Sequence, residues 1–293
     1  MLRSRRIGEF KVSSLVEYYG PTHAPETTFP DLNRTAFEQN RDWLVPNHWF
    51  PEMNRLVISI QMWIVHAGLD IILIDTGVGN RKQRPVERMN MLNTLVLHWL
   101  EAAGASREKV THVVMTHLHT DHVGWNTILD DGNWVPTFPN ARYLIPKENY
   151  DAWKQMISNG TGAPDSGSFS DSILPLVKAG MVDFITHQKE VAGCLEVVPL
   201  PGHTPGHIGF KLSSKGGQGI FAGDVMHHPI QVVRPESNSA FCMLPDVARR
   251  NRVAFLSNAA ETGALIMPSH FGPPHCGFIR RQAGSYIFEP ATW

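Results

Sequence analysis

Apolar residues in this chain fall first into the rhythm of strands and then alternate between strand and helix patterns to the end. Glu9–Tyr18 and Leu56–Ile74 are rich in β-branched and large apolar residues with partial alternation, the pattern of half-buried strands. The second stretch breaks at Ala67-Gly68-Leu69-Asp70, which predicts a hairpin ending in Ile71–Ile74 and the polar Asp75-Thr76-Gly77. Met91–Ala103 sets Leu92, Leu95, Val96, Trp99 and Leu100 at helical spacing and stops at Gly104. Val110–Met115 predicts a short buried strand, and Arg142–Ile145 another, followed by a helix near Lys147–Ile157. Gly160–Ser168 reads as a Gly/Ser loop and Asp171–Ala179 as a helix. Paired strands are expected from Cys194 to Phe221, turning at Ser213–Gly219, then a helix over Pro245–Thr262 and a last strand at Leu265–Met267. No repeat and no break in composition marks a linker, so one α/β domain is expected over residues 1–293. Gly20–Asn54 carries Phe29, Phe37, Trp43, Trp49 and Phe50 and is too apolar for a free linker, so it is expected to pack over the fold.

Composition narrows the function classes. Lys plus Arg number 26 against 27 Asp plus Glu, a formal net charge of −1, so no bulk attraction to nucleic acid is expected. Cys194, Cys242 and Cys276 form no Cys-x-x-Cys pair and their number is odd, which points to a reducing compartment rather than a disulfide scaffold. The basic start Met1-Leu2-Arg3-Ser4-Arg5-Arg6 is followed by Ile7-Gly8-Glu9-Phe10-Lys11, which is no export-signal core. Gln61, His66 and Asp70 interrupt the most apolar stretch, Leu56–Ile74, so no bilayer span is expected. The expectation is a soluble, cytoplasmic protein. Fifteen histidines in 293 residues, about 5%, is a high share and raises the question of a metal.

Thr116-His117-Leu118-His119-Thr120-Asp121-His122 follows directly on the predicted strand Val110–Met115. In extended backbone His117 and His119 project to the same side, with Asp121 and His122 on the turn beyond. Four ligand-type side chains within six residues suit a site for two cations. Histidine and carboxylate ligands with open positions suit hydrolysis, whereas structural zinc sites favour cysteine. His203 follows the strand over Leu195–Leu200, Asp224 follows Ile220–Ala222, and His270 follows Leu265–Met267. Candidates that each lie just after a strand converge if those strands share one sheet edge.

The ordered set formed by His117-x-His119-x-Asp121-His122, Gly202-His203-Thr204-Pro205-Gly206-His207, Gly223-Asp224 and Ser269-His270 resembles the metallo-β-lactamase-fold hydrolase superfamily over essentially the whole chain. The resemblance implies a four-layer αβ/βα sandwich with a dinuclear metal site at one sheet edge. It places one cation on His117, His119 and His203, a second on Asp121, His122 and His270, and Asp224 between the two. Asp75, in Leu73-Ile74-Asp75-Thr76-Gly77, matches an early motif whose aspartate orients the ligand histidines. No cysteine stands among the seven positions, unlike many β-lactam-hydrolysing members, and complete ligation departs from the mononuclear iron dioxygenases of the fold. Gly223-Asp224-Val225-Met226-His227-His228-Pro229, with His270-Phe271-Gly272 and Pro274, is closest to the lactonases that open acyl-homoserine lactones and to organophosphate hydrolases. Those lactonases often carry a tyrosine where this chain has His227.

The resulting expectation is a zinc-dependent hydrolase, with iron, cobalt or manganese also suited to the ligands. Two divalent cations would share a hydroxide that attacks an ester-like carbonyl, most simply that of a lactone. Asp121, Asp224 and His227 are the residues expected to act in catalysis, Asp121 on the proton and His227 on the carbonyl or leaving group. The expected partner is a small ester or lactone, not a nucleic acid or a membrane, with a homodimer as the assembly left open. Phosphotriester or phosphodiester hydrolysis is the alternative chemistry, and a non-catalytic metal-binding module the alternative class. Trp43, Trp49, Phe50 and Met53 are weighed as an acyl pocket near the active site against plain packing. Arg81, Lys82 and Arg84 are weighed as steering charges against a solvated basic loop.

Overall fold

A computed structural model describes residues 2–160, 167–282 and 284–293. The chain forms two compact units, one of residues 1–17 and 60–195, the other of residues 18–59 and 196–293. The predicted loop Gly160–Ser168 lies largely outside the described residues.

A mixed sheet, most of whose residues belong to the first unit, runs in the order Leu2–Ile7, Phe10–Pro21, Arg55–Ala67, Asp70–Ile74, His112–Val114, Arg142–Pro146 and Val182–Ile185. The predicted hairpin forms as expected, with Trp63 opposite Ile74 and Ala67 opposite Asp70. Gly68 supplies the left-handed turn at φ +65°, which leaves Leu69 at the exposed tip. Ile72, Leu73 and Ile74 are buried, and they pair in parallel with His112, Val113 and Val114. That pairing delivers Asp75 and Thr116 side by side past the ends of two adjacent buried strands.

The predicted helix Met91–Ala103 is shorter, at Val96–Ala102. Residues before it pair with the preceding loop instead: the Met91 amide donates to Lys82 O (2.8 Å), and Arg81 N to Leu92 O (2.9 Å). Asn80 closes that loop on Thr94 through both its amide oxygen and its amide nitrogen. Periodicity could not show these bonds, since they join residues with no common rhythm. Of the three basic residues only Arg81 is exposed; the other two are neither solvated nor free to steer. Lys82 and Arg84 are buried and both meet Asp171, Arg84 through two nitrogens at 2.7 and 2.9 Å. Burial pulls the Lys82 pKa down to about 8, with Arg84 adding to the fall and Asp171 opposing it.

In the second unit the strands Leu195–Pro199, Ile208–Ser214, Gly217–Gly223, Leu265–Pro268, Gly277–Gln282 and Ser285–Pro290 lie in that order. Gly217–Gly223 and Leu265–Pro268 are parallel and are joined by the helix Pro245–Thr262, found at its predicted bounds. Phe255, Leu256 and Ala259 of that helix pack on Ile220, Ala222, Ile266, Ile279 and Phe288 of the sheet. Gly263 ends the helix at φ +64°, as a glycine can without strain. Phe29, Phe37, Leu44, Trp49 and Leu56 form a second cluster with Ile230. Trp49 is therefore core, whereas Trp43 and Met53 are exposed. Among the described residues there is no disulfide, and no helix is long and apolar enough to cross a membrane.

Candidate metal centre

Each unit carries its own cluster of histidine and aspartate. In the first, the segment after His112–Val114 bends at Thr116, is extended at His119 and then turns into the short helix Thr120–Val123. Asn149 Oδ1 accepts from Leu118 N at 2.9 Å and pins this segment. His117, His119 and His122 come together, with ring centres 4.7 Å apart for His117 and His119 and 4.0 Å for His117 and His122. His119 also meets the buried Trp153 edge-on at 5.4 Å. Asp121 lies 3.7 Å from His122 Nε2.

Asp75 organises this cluster through hydrogen bonds. Its carboxylate accepts from Thr116 N (2.8 Å), from the Thr116 hydroxyl (2.9 Å) and from His122 Nδ1 (2.9 Å). The Thr116 hydroxyl spends its proton on Asp75, so at His117 Nδ1 (3.0 Å) it accepts. Both His117 and His122 are thereby held with the proton on Nδ1 and a lone pair on Nε2. That is the tautomer a metal ligand needs. Asp75 itself sits at φ +56°, a conformation that favours glycine, and the three bonds hold it there.

The second cluster gathers around Asp224 Oδ2. His270 Nε2 lies 3.0 Å from it, His203 Nε2 3.3 Å and His227 Nε2 3.4 Å. His270 Nδ1 donates to Ser59 O at 2.8 Å, so the neutral ring turns a lone pair towards the carboxylate. Two lone pairs 3.0 Å apart repel unless a proton or a cation lies between them. His227 stacks parallel on His270 at 5.6 Å and meets His203 edge-on at 4.6 Å. Its backbone is fixed by Gln231, whose Oε1 accepts from His227 N at 2.7 Å. The nitrogen and carboxylate donors of both clusters, buried or nearly so and with oriented tautomers, fit divalent cations of the zinc type.

Every residue that the motifs single out thus falls in one of the two clusters. The first holds His117, His119, Asp121 and His122, and the second His203, Asp224, His227 and His270.

A superfamily model for the metallo-β-lactamases matches residues 57–270, a span that contains all of these positions. The chain belongs to the metallo-β-lactamase superfamily. Its fold is the metallo-β-lactamase fold, as solved structures also show. The hydrolase AbOPH of the β-lactamase superfamily superposes with a TM-score of 0.81 at 25% identity, over 100% of this chain and 98% of that one. AidC, described as a dizinc quorum-quenching lactonase in complex with a product, gives 0.78 at 23% identity over 100% and 98%. A probable metal-dependent hydrolase from Staphylococcus aureus gives 0.73 at 16% identity over 99% and 100%. Among curated proteins, the uncharacterized YobT of Bacillus subtilis (strain 168) is 26% identical over 175 residues. The match spans 57% of this chain and 62% of YobT, less than two thirds of that protein's length.

Of the residues that support the two clusters, the sequence singles out Asp75 but not His207, Gln231 or Asn149. His207 directly precedes the strand Ile208–Ser214. His207 is buried and uses both ring nitrogens: Nδ1 donates to Leu200 O (2.9 Å), while Nε2 accepts from the Asp224 amide (3.0 Å). It is a brace for Asp224. Gln231 for His227 and Asn149 for Leu118 are the same kind of residue. Only the position of His207, four residues after His203 in a glycine-bounded turn, could have signalled its part.

Proposed function

We propose that the two clusters together make one dinuclear centre that hydrolyses a carboxylic ester, most simply a lactone. The carrying observation is the paired clusters with their tautomers fixed by Asp75 and Ser59. Membership of the superfamily, over a match that spans both clusters, supports joining them. In this reading His117, His119 and His203 would hold one cation and Asp121, His122 and His270 the other, with Asp224 available to both. Bound divalent cations, zinc by preference, lower the pKa of water towards about 7 and polarise a carbonyl, which is the chemistry that ester hydrolysis needs.

The chain's own residues do the rest. The Asp121 carboxylate, which keeps some exposure, takes the attacking hydroxide's proton from the tetrahedral adduct and passes it to the departing alkoxide, which leaves as the alcohol. His227 Nε2 donates a hydrogen bond to the carbonyl oxygen or to the departing alkoxide, a place where related lactonases use a phenol. His207 holds the Asp224 backbone, so the carboxylate does not drift as charge develops. AidC's description as a dizinc lactonase supports both the cation and the substrate class.

Elemental analysis of purified, metal-supplemented protein tests the centre, with about two cations per chain expected. A panel of γ- and δ-lactones, acyl-homoserine lactones, aryl esters, aryl phosphotriesters and a chromogenic β-lactam tests the reaction. Lactones or carboxylic esters should give the highest kcat/KM. A phosphotriester ahead by tenfold would overturn the substrate class, and one cation per chain would overturn the dinuclear centre.

A further inference from the structure

Trp49 and its aromatic neighbours are buried core, so they offer no surface to the apolar part of a substrate. The loop between the helices Ile230–Val233 and Pro245–Thr262 supplies one. We propose that Phe241, with Leu244 on the same loop, is the specificity-determining contact for the hydrocarbon chain of the substrate. This rests on the ester-hydrolase reading above.

The loop has no regular structure, yet it is fastened along its length. The buried Arg252 donates from Nη2 to Asn238 Oδ1 (2.7 Å) and from Nε to Pro235 O (2.8 Å). Gln231, which also fixes His227, donates to Ser237 O at 2.9 Å. Ala240 N is bonded to Thr28 O (2.8 Å), Met243 N to His203 O (2.9 Å) and Leu244 N to Gly202 O (2.9 Å). A loop tied this closely to His203 and His227 does not leave a benzyl group in water through slack. Phe241 is nevertheless 41% exposed and Leu244 40%.

Single exposed apolar side chains are ordinary on protein surfaces. Phe241 differs in where it stands. Its ring lies 5.7 Å from that of His227 and 5.2 Å from that of His23, so it walls one flank of the Asp224 cluster. Neither Phe241 nor Leu244 has a polar atom on its side chain, so neither can bind cation, carbonyl or leaving group. What Phe241 offers is apolar surface within a ring's width of His227, worth ~4-fold in affinity for each methylene it covers, and Leu244 adds an exposed apolar side chain three residues on. An acyl or alkyl chain extending from the reacting carbonyl is the substrate part that matches this surface.

The test measures kcat/KM for p-nitrophenyl esters from acetate to decanoate with the metal-loaded wild type, Phe241→Ala, Phe241→Leu and Leu244→Ala. In parallel, calorimetry compares butyrate and octanoate binding. The wild type should gain with chain length. Phe241→Ala should lose about 10-fold on the octanoate ester and less than about 2-fold on the acetate, with Phe241→Leu recovering most of the loss. An equal loss on both esters, or an unchanged chain-length slope, would overturn the proposal. Should the wild type cleave no ester or lactone, the ester-hydrolase reading fails, and calorimetry decides the present one. A preference for octanoate that Phe241→Ala abolishes supports it; a preference that survives, or one absent from the wild type, overturns it.

Discussion

Asp75 accepts protons from two directions and so decides where the proton sits on both His117 and His122. The Thr116 hydroxyl and His122 Nδ1 both bond Oδ2 while Thr116 N bonds Oδ1, so an asparagine that keeps its oxygen on Thr116 N puts an NH₂ group opposite both the hydroxyl and His122 Nδ1. The His122 proton then moves to Nε2 and the lone pair facing Asp121 is lost. Asp75→Asn should weaken metal binding about 10- to 100-fold while the protein stays folded, as read by competition with a chromogenic chelator. Undiminished affinity would show that the tautomer is set elsewhere. His227 answers a different question, because its ring sits in the Asp224 cluster while its proposed task is on the substrate. His227→Phe should retain both cations and lower kcat/KM by an amount worth roughly 1–3 kcal/mol, about one hydrogen bond to a developing charge. Loss of metal in this variant would make His227 a ligand instead. The candidate ligand types and their order, with Asp75 behind them, were legible in the sequence, because chemistry fixes them residue by residue. The other braces were not. His207, Thr116 and Gln231 act through single bonds to neighbours that no periodicity links to them.

At the scale of elements, the short helix Thr120–Val123 owes its place to a clamp centred on Glu17. This buried carboxylate accepts from Val78 N (2.6 Å), Gly79 N (3.2 Å) and Trp125 Nε1 (2.6 Å). Burial pushes its pKa up, although those donors pull the other way. The loop it holds is bonded in turn to the helix: Thr76 N donates to His122 O (2.7 Å) and Gly124 N to Gly77 O (2.7 Å). There is no room for a side chain in this contact, since a Cβ on Gly124 would stand 1.8 Å from Val78 O. Glu17→Leu would leave three buried N–H donors without an acceptor, at about 1–3 kcal/mol each before relaxation. We expect a loss of about 3 kcal/mol or more in urea unfolding, with Glu17→Gln milder because its amide oxygen still accepts. A Glu17→Leu variant as stable as wild type would remove the clamp. Strong rhythms made Pro245–Thr262 and the Gly68 hairpin readable, whereas the start of the helix Val96–Ala102 was hidden by loop bonds between residues 80–82 and 91–94. The hairpin Thr127–Asp130 with Asn133–Pro136 gave no clear alternation and went unread.

For the molecule as a whole, the ordered motifs were enough to give the family, because each ligand must follow its own strand in sequence. The response of the whole fold to acid was not legible, since it depends on burial. His48 and His228 are buried beside the aromatic cluster of the second unit, with ring centres 6.0 Å apart. Desolvation pulls the pKa of His48 down to about 3, assisted by His228 and His275, and that of His228 down to about 4. The bonds of His228 require the neutral ring. Its Nδ1 accepts from Ile230 N (3.1 Å), so Nε2 carries the proton and donates to His48 O (2.8 Å). In the unfolded chain both rings titrate near the ordinary 6.5. Above that pH neither state binds the extra proton, and the full stability is present. Below it the unfolded state takes up protons that the folded state refuses, so stability falls as pH drops from about 6.5 towards 4. The slope approaches about 1.4 kcal/mol per pH unit for each ring. His228→Gln retains a donor and an acceptor but cannot titrate. Urea unfolding at pH 7.5, 6.0, 5.0 and 4.5, both proteins holding the same metal, should give a shallower decline for the variant by about 1 kcal/mol per unit below pH 6. The metal ligands titrate alike in both, so the difference between the two slopes isolates His228. Parallel slopes would mean that its burial does not govern the acid limit of the fold.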